Sequence, residues 1–244
     1  MISAVDAAVA KVGLPSQWSW RVEVRPRRRT LGLAVSPDGS IVIAVPKDAE
    51  PAEVAAVVHS RRLWLARTIK RRTELAAEHP TIEILDGEGF IYLGRHYRLR
   101  LLDGHDRRIA LHGGWLDLSR PVSGPAGVAV IIDWYTARGQ RWLGDRVSAW
   151  AGRIGVSPPR VIVTDLGDRW GLRKRDGTVV FHWAAMQLPA ELLDLIVVHE
   201  LVHLVVARHD QEFQRRLLIA LPDAVELEAK LAEVGRQVWM GALR

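Results

Sequence analysis

Residues Val197–Asp210, VVHELVHLVVARHD, hold three of the chain's nine histidines within eleven positions, and Glu200 stands directly beside the first of them. The rest of the stretch is almost wholly apolar. Pro189 marks a helix start, and the run from Ala190 to Val206 predicts one helix of about seventeen residues, apolar round most of its girth and hence buried. His199 and His203 are four residues apart and so share a face of that helix. That spacing lets two imidazoles reach one metal ion, with Glu200 beside them to hold and deprotonate an attacking water. His209 lies six residues beyond His203, and on a continuous helix six residues rotate by about 600°, away from its partners. The helix must therefore break. Asp210 as an N-cap would begin a new helix at Gln211, placing the break near Arg208 and His209 and letting His209 fold back as a third ligand. Three neutral nitrogens plus an open position describe a catalytic zinc (Zn2+) site rather than a closed structural one. A motif of this form arises by chance about 0.02 times in a chain of this composition. Two other readings share it: satisfied core histidines with His209 at the surface, or a site that binds metal without chemistry.

The remainder of the chain narrows the choice. Its 244 residues allow one large domain or two small ones, and its composition is that of a globular protein. There is no cysteine, which excludes disulfides, thiolate ligands and Cys nucleophiles, so any metal is held by His, Asp or Glu. A net charge of +6 and a pI near 10.1 invite a nucleic-acid reading. Only five of the 34 basic residues are Lys, however, and Ala and Val abound, a bias that a GC-rich genome also produces. Nucleic acid is a possible partner but not the favoured one. The start, MISAVDAAVAKVGLPS, is broken by Asp6 and Lys11 and makes a poor signal peptide. The longest apolar stretch, Leu192–Val206, contains Asp194, His199, Glu200 and His203, which argues against a membrane span. A cytoplasmic location is expected.

Along the chain, WRVEVRPRRRTLGLAVSPDGSIVIAVP alternates apolar and polar residues on both sides of the turn signal SPDGS and predicts a hairpin. A helix starting at Pro51 follows, with Val54, Val57, Val58, Trp64, Leu65 and Ile69 as its apolar stripe. Its other face is basic (Arg61, Arg62, Arg67, Lys70, Arg71, Arg72), a pattern most often solvated and only secondarily anion-binding. FIYLGRHYRLRLL and RRIALHGGWLDLSRP predict short strands, and PVSGPAG is the best linker in the sequence. Beyond it, Val128–Ile154 is a long helical pattern carrying Ile131, Ile132, Tyr135, Trp142, Val147 and Trp150. Strands PRVIVTD and TVVFHW then precede the histidine helix. The expected architecture is α+β, with an N-terminal β-rich region holding one helix (residues 1–120) and a C-terminal domain (residues 126–244).

The block from Asp168 to Phe213, with Arg169-Trp170-Gly171, Pro189, His199-Glu200-Leu201, His203-Leu204, His209 and Phe213, resembles the YgjP-like (WLM and SprT-related) zinc metallopeptidases. Their pattern runs RWGSC, an LN strand, a Pro-started helix with HELAHL, and NHSxxFW. The N-terminal half is similar too, in its Arg-rich hairpin with PDG, its LWLARTI helix and YLGRHYRLRL, so the resemblance spans roughly Trp20 to Trp239. It implies a zincin-like catalytic domain, with His199, His203 and His209 as zinc ligands and Glu200 as the catalytic acid/base. The chain departs from the pattern at Leu172 and Arg173 (for Ser-Cys), His182 (for Asn), Leu195 (for Tyr) and Gln214 (for Trp). None of these removes a ligand; they alter the wall of the cleft.

Arg169 is a candidate catalytic residue that would stabilise an oxyanion, or else a structural partner of Asp165, Asp168 or Glu200. His182 reads as a strand histidine in a polar niche, or as a cleft-lining group. Asp194, five residues before His199, reads as a surface or capping group. The expected activity is zinc-dependent hydrolysis of a peptide or protein. The alternatives are a metal-dependent hydrolase of nucleotides or other phosphate anhydrides, for which the Arg excess would supply anion contacts, and a nucleic-acid-associated binding protein using the Arg61–Arg72 face.

Overall fold

The computed structural model describes residues 2–36, 39–103, 108–120 and 125–244. The chain divides into two compact units, Met1–Glu78 and His79–Arg244.

The first unit consists of α1 (Ile2–Ala10), β1 (Trp20–Val24), β2 (Gly32–Val35), β3 (Ile41–Val45), α2 (Pro51–Ser60) and α3 (Arg62–Glu78). Its sheet has the order β1-β3-β2, with β3 parallel to β1 and antiparallel to β2. The predicted hairpin is therefore β2–β3, and Pro37 and Asp38 of its turn lie outside the described residues. Pro26 and the arginines after it end β1 early, so that strand returns on the far edge of β3 instead of continuing into β2. All five residues of β3, Ile-Val-Ile-Ala-Val, are buried, as a central strand flanked on both edges should be. The one helix expected here is three. Val5 and Val9 of α1 join Val54, Val58 and Leu65 over Val35, Ile41, Ile43 and Val45 to form this unit's core. Helix α2 ends at Ser60, and Trp64, assigned by periodicity to the buried stripe, is 40% exposed. Helix α3 turns only a narrow seam inward, led by Leu65, and its neighbour Trp64 is left outside.

In the second unit, β4 (Gly89–Tyr92), β5 (Arg95–Leu102), β6 (Ile109–His112) and β7 (Trp115–Ser119) form a sheet of order β4-β5-β7-β6, with β5 and β7 parallel and the outer pairs antiparallel. Next come α4 (Pro125–Ile154), then β8 (Val161–Thr164), β9 (Gly171–Arg173) and β10 (Val179–His182), which make a second small sheet of order β8-β10-β9. A 3-10 turn, Trp183–Gln187, leads into α5 (Ala190–Val202), α6 (Gln211–Ala220) and α7 (Ala224–Val234). The boundary between the compact units lies at Glu78–His79, and residues 121–124 of the PVSGPAG linker lie outside the described residues. The second unit has one shared core. Leu99, Leu101, Leu116 and Leu118 of the four-stranded sheet pack with Ile131 and Tyr135 of α4 and with Leu192 and Ile196 of α5. The Tyr135 hydroxyl also donates to the Ile91 carbonyl at 2.6 Å. The α+β class expected from the sequence is what the chain adopts, with seven α-helices and three small sheets among the described residues.

Candidate active site

Helix α5 is the platform of the site. Nine of its residues, Leu192 to Val202 with the exceptions of Asp194 and His199, are buried. It is shorter than the sequence suggested, ending at Val202 with His203 as its C-cap. The Leu204 and Val205 amides bond three residues back, to the Leu201 and Val202 carbonyls at 3.0 Å each, which tightens the last turn to a 3-10 geometry and stops the helix. Asp210 does start the next helix: its carboxylate accepts from the Phe213 amide at 3.1 Å, leaving α6 to begin at Gln211.

Between these two helix ends the three histidines meet. His209 Nε2 lies 2.9 Å from His199 Nε2 and 3.1 Å from His203 Nε2. The Nδ1 of His203 donates to the Val206 carbonyl at 3.0 Å, which leaves the lone pair on Nε2, the atom turned toward the other two rings. Phe213, fully buried, sets the rings in place, its own ring 4.9, 4.6 and 4.6 Å from those of His199, His203 and His209. One ligand atom from each histidine falls within 4.8 Å of the others, a grouping able to hold a metal ion. The donor set suits a small divalent cation: tetrahedral ligands about 2.05 Å from zinc stand roughly 3.3 Å apart, close to the separations seen here. Burial pushes His199 down to about 4, helped by the charges its two neighbours would carry, and pushes His203 down as well. Both rings are thus kept neutral, as a ligand must be.

Glu200 is 6% exposed. Burial raises its carboxyl to about 7, against the opposing pull of the Arg169 and Arg173 charges. Its side chain runs along the backbone of β9 at Gly171, where an added Cβ would stand 2.8 Å from Glu200 Cγ and 2.9 Å from Oε1. Only a residue without a side chain admits the carboxylate there. Arg169 is exposed on the loop before β9 and lines, with Trp170, a cleft of about 440 Å³ beside His199 and Glu200. Leu195 and Ile196 of α5 and Leu231 of α7 make its apolar wall.

The other sequence candidates fall elsewhere. His182 is fully buried; its Nδ1 accepts from the Ala184 amide at 3.0 Å, capping the 3-10 turn, and its Nε2 faces Asp165 Oδ1 at 3.3 Å. Asp194 is not a surface group. It takes two bonds from Arg146, one at 2.7 Å from Nε and one from Nη2, tying α4 to α5. Gly171, Trp170 and Phe213 stand out only through the family pattern, and Leu231 not at all. A glycine inside a short strand marks a close approach and was the one further signal available; Leu231 reads like any core leucine.

The family described as YgjP-like, metallopeptidase domain, matches residues 29–234. No curated protein is significantly similar to the chain. Among solved structures, the metallopeptidase zymogen abylysin of Pyrococcus abyssi is 23% identical with a TM-score of 0.36, over 40% of this chain and 99% of its own. The zymogen jannalysin of Methanocaldococcus jannaschii is 17% identical with a TM-score of 0.35, over 37% of this chain and 94% of its own. Among the described residues no helix is long and apolar enough to cross a membrane. Since the family match runs through both units and across the whole histidine cluster, the chain belongs to the YgjP-like metallopeptidase family.

Proposed function

We propose that the protein is a zinc-dependent peptidase whose second unit carries a zincin-like catalytic domain from α4 onward. His199, His203 and His209 hold the metal and Glu200 moves the proton. The observation that carries this reading is the convergence of three imidazole nitrogens, 2.9 and 3.1 Å apart, beside one buried carboxylate. The metal, when bound, supplies a Lewis acid that activates water and polarises a carbonyl. Glu200 takes the proton of the attacking water as the oxygen adds to the scissile carbonyl carbon. It then delivers that proton to the amine nitrogen as the C–N bond breaks. A carboxyl raised to about 7 suits both halves of the exchange near neutral pH. Arg169, exposed at the cleft and close enough to pull on Glu200, meets the oxygen on which negative charge develops. Strand β9 pairs only with β10 among the described strands, so its other edge offers backbone groups to an extended peptide.

A phosphate anhydride is the second reading, favoured by one observation: two guanidinium groups, Arg169 and Arg173, both act on the Glu200 carboxylate. A competition assay decides between the two. Zinc-loaded protein is given unfolded protein and nucleoside triphosphates together, with Glu200→Gln as the blank. Peptide cleavage lost by at least about 10² in the variant at unchanged zinc content supports the first reading. Phosphate or pyrophosphate release without peptide cleavage replaces it with the second.

A further inference from the structure

We propose that the first unit binds single-stranded nucleic acid along the outer face of α3 and the groove at its start. Thirteen Lys and Arg stand against eight Asp and Glu in residues 1–78, so this third of the chain holds most of the net charge of +6. The charge is also sorted. From Val54 to Thr73 there are six cations, Arg61, Arg62, Arg67, Lys70, Arg71 and Arg72, and no acid. Glu74, the next residue, lies 3.9 Å from Lys70 and 3.8 Å from Arg71, in exposed pairs that a phosphate can displace. A basic helix face is ordinarily only solvated. Here two further observations point to a ligand. Trp64, 40% exposed, and Leu63, 75% exposed, stand among those cations. Trp64 and Arg61 also line, with Val57 of α2 and Leu31 and Leu33 of the β2 segment, a groove of about 340 Å³.

The spacing matches a strand of nucleotides. Trp64, Arg67 and Arg71 lie three and four residues apart and therefore form one exposed row along α3. Arg29, exposed, is two residues before Leu31 of the groove. An indole lining a groove that is half polar and half apolar offers a face on which a base stacks, while guanidinium groups one turn apart take successive phosphates. Duplex DNA hides its base faces and cannot use Trp64. An acidic peptide uses the charges but has no flat ring to stack.

The test uses the full chain and a fluorescein-labelled oligothymidylate of about fifteen nucleotides, read by anisotropy at rising salt. Binding is expected to weaken with salt. Trp64→Ala should weaken it about tenfold at an unchanged salt slope, the scale of one lost base stack. Arg61→Gln combined with Arg67→Gln and Arg71→Gln should flatten the slope by about two, at roughly 0.7 per phosphate on a single strand. All these positions lie in the first unit, outside the histidine site, so the first unit's own melting transition serves as the control for folding. No binding at low salt overturns the proposal. So does equal competition by duplex DNA or heparin with Trp64→Ala indistinguishable from wild type, which would mark a surface for polyanions at large. Preferential competition by polyglutamate would replace it with an acidic-peptide site.

Discussion

His209 separates a three-histidine centre from a pair of helix neighbours. His199 and His203 are held on α5 whatever happens downstream, whereas His209 reaches them only because the chain reverses between Val202 and Gln211. His209→Ala should therefore fold as wild type does and lose bound zinc, measured by elemental analysis after dialysis against apo buffer. Wild-type zinc content in that variant would send the third ligand elsewhere, and Glu212 is poorly placed to be it, committed as it is to Arg215 and Arg216. Gly171 makes a complementary prediction about Glu200. A Cβ at this position would sit 2.8 Å from Glu200 Cγ, so Gly171→Ala must displace the carboxylate at an overpacking cost of about 1–3 kcal/mol. Zinc content should stay at one per chain by this reading while turnover falls by roughly 10², the scale of lost proton transfer. Turnover left intact would mean that the carboxylate works from another position.

The histidine cluster was legible because every step that builds it is local: four residues from His199 to His203, an N-cap three residues before Phe213, and a helix that ends in between. What could not be read was where α5 stops. Nothing in Leu204, Val205 and Val206 forbids helix; the chain tightens there to 3-10 bonds, and the His203 side chain meets the Val206 carbonyl, features invisible to periodicity. Trp64 is the opposite failure, an aromatic at a core-like spacing on a helix whose inward seam is too narrow to take it. Helix α6 carries a pH prediction of its own. Hydrogen bonds from Arg215 and then Arg216 hold Glu212 down to about 2, against an ordinary value of 4.5. A depressed carboxyl stabilises the fold above its unfolded value and loses that contribution as pH falls through the folded one. The melting temperature of Glu212→Gln should thus trail wild type at pH 6, close on it below about 4.5, and meet it near 2. The gap will be modest, since the group is exposed and screened. A gap unchanged at pH 2 would remove the ion pairs as its cause.

At the scale of the molecule, two hydrophobic clusters share no residue. One is built on Ile41, Ile43, Val54, Val58 and Leu65; the other runs from Ile82 through Tyr135 and α5 to Trp239. The sequence could not place the boundary between them at Glu78, because the strands β4 to β7 find their covering helices α4 and α5 many residues later, and a Pro/Gly-rich linker lies between strands and helices. Disjoint cores have a thermodynamic consequence. A ligand stabilises only the unit that binds it, by RT ln(1 + [L]/Kd), about 2.7 kcal/mol when free ligand exceeds Kd a hundredfold. The histidines all belong to the second unit. Calorimetry of the chelated protein followed by zinc addition should then show two transitions, one of which rises by about 5–10 °C while the other stays in place. In His209→Ala neither should move. One transition rising as a whole with zinc would show instead that the two cores melt together, and that the charged first unit gains its stability from the metal centre of the second.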